Sequence, residues 1–83
     1  MKVRVRYFAA IREALGSGEM LDVADGGTVG SLRDALIAKS PAHATALARG
    51  RALRSALDQV LCDDAAPLAE GAEVAFFPPV TGG

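Results

Sequence analysis

Residues 2–16 read KVRVRYFAAIREALG, and a change of period inside this stretch decides the fold class. Over Lys2–Tyr7 apolar and charged residues alternate, with Val3, Val5 and Tyr7 on one side and Lys2, Arg4 and Arg6 on the other. That is the pattern of a strand buried on one face. From Ala9 the spacing turns helical: Ile11, Ala14 and Leu15 share a side, and Gly16 is a suitable left-handed stop.

Outward from there, GSG (16–18) makes a turn into EMLDVAD (19–25), where Met20, Asp22 and Ala24 alternate with Leu21 and Val23. This reads as a second strand, hairpin-like with the first. DGGTVGSLRDALIAKS (25–40) opens on a glycine-rich turn and offers Thr28 as N-cap. Its stripe of Val29, Leu32, Ala35 and Leu36 predicts the main helix. Ser40 before Pro41 resembles an N-cap followed by proline at the first helical position, so PAHATALAR (41–49) predicts a second short helix, ending at Gly50 and weakly anchored by alanines. ALRSALDQVLC (52–62) reads as a strand, a tight turn at Asp58 and Gln59, and a very short return strand through Leu61. In LAEGAEVAFF (68–77), Leu68 precedes a turn at Gly71, and a closing strand puts Val74 and Phe76 on one face. The expected fold is α+β: a mixed four- to five-stranded sheet with the main helix across one face. Residues 1–77 form one domain and residues 78–83 an extended tail.

Strict alternation has a second consequence. If Val3, Val5, Tyr7, Val74 and Phe76 point under the helix, Phe8 and Phe77 point to the uncovered face, where Leu61 can join them. A contiguous apolar patch of that kind marks an interface.

The chain finishes PPVTGG (78–83). Residues that precede a proline favour extended backbone, and prolines cannot donate to a ladder, so sheet pairing should stop at Pro78. Six extended residues reach roughly 20 Å, enough to enter another protein. Glycines without Cβ pass through a channel too narrow for side chains, and the Gly83 carboxylate is then the functional group at the tip. A carboxylate becomes an electrophile only after activation, for example by adenylation with ATP, when sulfur or nitrogen can displace AMP. Ordering such a tail costs about 1 to 2 kcal/mol per residue, which contacts to a partner must offset. Taken alone, the tail also fits an incidental terminus.

Size and composition narrow the classes. An 83-residue domain leaves little room for a deep private cleft, and it more readily presents a surface to a partner. Nine basic against ten acidic residues give a net charge of -1 and no footprint for nucleic acid. One cysteine, Cys62, forms no internal disulfide, which suits a reducing cytoplasm. The charged first residues lack the uncharged core of a signal peptide, and no run is long enough to span a membrane. Cys62 has no nearby histidine or basic cluster in sequence to activate it. His43 has no partner at ligand spacing and is expected on a helix surface. GSG and DGGTVG lack the lysine of a phosphate loop, and Asp63 and Asp64 would face opposite ways in a strand. Arg49, Arg51 and Arg54 read as a solvated loop.

The ending EVAFFPPVTGG (73–83), the preceding PLAEG (67–71) and the opening VRYFAAIRE (5–13) resemble the small subunits of molybdopterin synthase, the sulfur carriers of molybdenum cofactor biosynthesis. Asp58 stands where such proteins often carry asparagine. The resemblance implies a β-grasp, ubiquitin-like fold. It also implies a cycle: an E1-like adenylating enzyme uses ATP and magnesium to activate Gly83, and a sulfur donor protein converts the adenylate to a thiocarboxylate. The tail then enters the large subunit and gives sulfur to precursor Z, cyclic pyranopterin monophosphate, to build the dithiolene. On this reading Gly83 is the reactive end. Pro78, Pro79, Val80, Thr81 and Gly82 are inserted, and Phe8, Arg12, Leu61 and Phe77 dock. This chain would bind no cofactor or metal of its own, catalytic side chains would belong to the partner, and two small and two large subunits would assemble. A carrier for thiazole or cysteine synthesis, a ubiquitin-like modifier and a plain binding module are the alternatives.

Overall fold

A computed structural model of the chain describes residues 1–79. Eight elements follow in order: β1 (Lys2–Tyr7), α1 (Ala9–Leu15), β2 (Gly18–Asp22), α2 (Val29–Ile37), α3 (Pro41–Ala46), β3 (Arg54–Leu57), β4 (Val60–Cys62) and β5 (Glu73–Phe77). The five strands form one sheet in the order β2-β1-β5-β3-β4. β1 pairs antiparallel with β2, Val3 facing Leu21, as its hairpin-like spacing predicts. It pairs parallel with β5, Val5 facing Val74, and β5 pairs antiparallel with β3. Parallel neighbours need a long crossover, and here the intervening chain, α2 included, supplies it. This is the mixed sheet of the β-grasp expectation.

Local chemistry accounts for the boundaries. Thr28 caps α2 through a reciprocal pair of hydrogen bonds with Ser31, a capping box that satisfies two otherwise unpaired N–H groups. Ser40 caps α3 by accepting from the His43 N–H, and Pro41 stands at the first turn. At the β3–β4 turn Asp58 and Gln59 both take positive φ, 49° and 70°, as a two-residue hairpin loop matching strand twist requires. Gly16 ends α1 at φ 90°.

Val3, Val5 and Tyr7 of β1 and Val74 and Phe76 of β5 meet Val29, Leu32 and Leu36 of α2 in a single core, closed by Ile11 of α1. Each fully buried side chain of this size contributes roughly 1.5–3 kcal/mol. Three expectations are corrected. Ala35 is exposed, and Arg33 is the residue that lies buried beside the α2 stripe. Its guanidinium donates to the carbonyls of Leu47 at 2.8 Å and Ala48 at 2.6 Å, so the buried polar groups satisfy one another. Second, α3 stops at Ala46, and the chain then drives Leu47 to full burial, so this segment is better anchored than its alanines suggest.

The third correction concerns His43, which is half-buried rather than on an open helix surface. Its Nε2 lies 2.8 Å from Glu19 Oε2 and its Nδ1 2.7 Å from Ser40 Oγ. The Tyr7 hydroxyl donates to the same Glu19 oxygen at 2.8 Å, and Lys39 pairs with the other. Burial alone would raise the Glu19 pKa, but hydrogen bonds from His43, Lys39 and Tyr7 outweigh it and hold the carboxyl at about 2. Burial, then the bond to Glu19, pushes the Tyr7 phenol up. This cluster ties the β1–β2 hairpin to the α2–α3 junction.

Candidate functional site

The helices cover one face of the sheet. On the other, register sets side chains in rows: Leu61 beside Ala56, Ala56 beside Ala75, Ala75 beside Arg6, and Arg54 beside Phe77. Two alanines at the centre are too short to fill the space between larger neighbours. A groove of about 720 Å³ results, walled by Phe8, Phe77, Pro78 and Pro79 and floored by Ala56 and Ala75. It is open on one side, apolar, and placed where the chain leaves the sheet.

The backbone fixes this arrangement. The Phe8 N–H donates to the Phe76 carbonyl at 3.3 Å, carrying the β1–β5 pairing one residue past Tyr7. Phe8 therefore lies at the same end of the sheet as Phe77. Ala9 then turns the chain into α1 with φ 54°, a left-handed conformation that costs a non-glycine residue about 1–2 kcal/mol. The Arg6 guanidinium carbon sits 5.5 Å from the Phe8 ring centre, within range of a cation–π contact.

Of the residues expected to dock, Phe8 and Phe77 line the groove together with Pro78 and Pro79. Leu61 is 64% exposed on the same face, one strand beyond the alanine floor. Arg12 is exposed on α1, outside the groove lining. Val80, Thr81, Gly82 and Gly83 lie outside the described residues. Arg6, Ala9, Ala56, Gln59, Glu73 and Ala75 complete the groove and were not singled out from sequence as site residues; Ala56 and Ala75 could have been, because alternation puts them on the Phe77 face.

The other candidates stay apart. Cys62 is half-buried, and burial followed by the charge of Asp63 pushes its thiol up, away from the reactive thiolate. Among the described residues no three His, Cys, Asp or Glu side chains gather to hold a metal ion. No helix among them is long and apolar enough to cross a membrane. Arg49, Arg51 and Arg54 do not share one solvated loop: Arg49 pairs with Asp34 at 2.9 Å and Asp64 at 2.6 Å, and Arg54 lies in β3.

Comparison with known proteins places this geometry. The model of the ThiS family matches residues 5–83. The chain belongs to the ThiS family. It is 44% identical over 81 residues to the molybdopterin synthase sulfur carrier subunit of Escherichia coli, covering 98% of this chain and 99% of that relative. In solved structures it is similar to a chain in the complex of subunits 1 and 2 of the molybdopterin-converting factor from Helicobacter pylori, with a TM-score of 0.69, 29% identity and full coverage of both chains. Small archaeal modifier protein 1 of Haloferax volcanii has a TM-score of 0.78 and 28% identity, over 95% of this chain and 98% of that one. The fold of this ThiS-family chain is the ubiquitin-like β-grasp, and its homologues are molybdopterin synthase sulfur carrier subunits.

Proposed function

We propose that this protein is the sulfur-carrying small subunit of a molybdopterin synthase, working in the cytoplasm. The observation that carries the reading is the similarity over nearly full length to a curated sulfur carrier subunit. An apolar groove at the root of the PPVTGG tail supports it. The Gly83 carboxylate attacks the α-phosphorus of ATP within an E1-like partner, with magnesium balancing the leaving pyrophosphate. Hydrosulfide, the sulfur already at the sulfide level when the donor protein releases it, then attacks the acyl carbon and displaces AMP, leaving a thiocarboxylate. The phenylalanine groove docks on the large subunit, the tail enters it, and sulfur passes to precursor Z; two transfers build the dithiolene. The assembly is two small and two large subunits with this chain at the outer ends.

Intact mass tests the chemistry. After incubation with ATP, an E1-like adenylating enzyme and a sulfide source, the chain should gain the difference between sulfur and oxygen. Fragmentation should place the gain at Gly83, and deletion of Gly83 should abolish it. No gain with an enzyme shown to be active on another carrier would overturn the reading. The likeness to an archaeal modifier supports a second reading, in which Gly83 is joined to lysines; isopeptide conjugates in the cell would distinguish it.

A further inference from the structure

The uncovered face carries charges that a purely apolar dock does not require. Lys2, Arg4 and Arg6 project from β1 and Arg54 from β3, all four exposed. On the same face the strands set only Asp22, at the β2 edge, and Glu73 against them. Arg4 lies opposite Glu73 in register without forming an ion pair, and none of the four cations has one among the described residues. On the helical side Arg33 holds carbonyls, Arg49 two carboxylates and Lys39 a third, while Arg12 and Arg51 are exposed without an ion pair among the described residues but stand singly rather than in a row.

The chain as a whole carries -1, so excess positive charge on one face means excess negative charge elsewhere, where Glu13 and Asp63 lie exposed without an ion pair among the described residues. Successive like charges along one face of a strand repel and gain nothing for the isolated fold. An opposing acidic surface turns that repulsion into attraction.

We propose that the partner that covers this face, the large subunit in the reading on which this inference rests, meets it with carboxylates arranged around an apolar projection. The projection fills the groove between Phe8 and Phe77. The carboxylates face Arg4 and Arg6 on one flank and Arg54 on the other. Charge then steers the encounter, while the groove holds the complex. A nucleic acid or an anionic membrane would engage the cations, but it offers no compact apolar projection, and its extended charge is repelled by the acidic remainder of the chain.

Stopped-flow association of the full chain with the molybdopterin synthase large subunit tests this between about 0.05 and 0.5 M NaCl, a range over which exposed charges become screened. The wild-type on-rate should fall about tenfold across that range. The triple variant Arg4→Glu, Arg6→Glu, Arg54→Glu should start about tenfold slower and lose the salt dependence. Arg51→Glu, an exposed reversal outside this face, should stay close to wild type. The wild-type salt dependence decides the matter even if the triple variant fails to fold. An on-rate indifferent to salt, and equal in wild type and triple variant, overturns the inference and leaves the carrier reading standing. Failure to associate at any salt overturns both. Preferential binding to heparin, single-stranded DNA or phosphatidylserine vesicles overturns it in favour of a polyanion site.

Discussion

Phe76 and Phe77 are consecutive in β5 and chemically identical, yet they belong to different surfaces. Phe76 is fully buried under the helices, packed in one core with Val5, Leu32 and Leu36. Phe77 faces the groove with Phe8. The same division separates the arginines: Arg33 is fixed by internal carbonyls, whereas Arg4, Arg6 and Arg54 have no ion pair among the described residues. Phenylalanine and arginine each serve both to hold the fold and to line or flank the open face, so residue type alone does not report role here.

The largest effect that would break this division comes from the phenylalanine pair. Phe76→Ala should cost about 3–5 kcal/mol in urea unfolding, as truncation of a buried aromatic does. Phe77→Ala should cost less than about 1 kcal/mol of stability but weaken binding to the large subunit by tenfold or more, as loss of an interface anchor does. Equal stability losses would mean that both faces serve the core. A smaller contrast is expected between arginines: Arg33→Ala strands buried carbonyls and should cost about 2–3 kcal/mol, against about 0.5 kcal/mol or less for Arg54→Ala. Thermal melts of the two variants side by side would show it.

The smallest effect concerns pH. The Glu19 carboxyl is held at about 2 in the fold against an ordinary 4.5, so the unfolded chain binds its proton first on acidification. The stability it contributes is complete above about pH 4.5 and is lost as pH falls toward about 2. Glu19→Gln should flatten that part of the profile and cost about 1–2 kcal/mol at neutral pH. A variant whose acid unfolding midpoint matches wild type would show that the hairpin needs no such tie.

What could be read from sequence divides along the same physical line. The alternation of Val3, Val5 and Tyr7, the Thr28 cap, the Asp58–Gln59 turn and the outward Phe8 and Phe77 are all local signals, set by periodicity or by one turn of chain. The Tyr7–Glu19–His43 cluster joins residues 12 and 24 positions apart, and no spacing rule links them. Leu47 was undervalued because its burial depends on where α3 stops. Arg33 is a different case: from Val29 the helical positions i+3, i+4 and i+7 are Leu32, Arg33 and Leu36, so the period marked the site. Its charge argued against burial until the carbonyls of Leu47 and Ala48 appeared opposite. Ala56 and Ala75 escaped notice because a groove is made by what is small, and hydropathy patterns weigh what is large.

β5 comes last among the strands in sequence, yet it lies inside the sheet with β1 on one side and β3 on the other. A ribosome must therefore deliver residue 77 before the sheet can close, and the earlier strands wait with unpaired edges meanwhile. Pairing the first strand with the last is a contact of maximal sequence separation, which slows folding and makes it all-or-none. A chain broken off before Phe77 would expose its core residues to proteases. Synthesis thus delivers folded molecules that already possess the groove lined by Phe8 and Phe77.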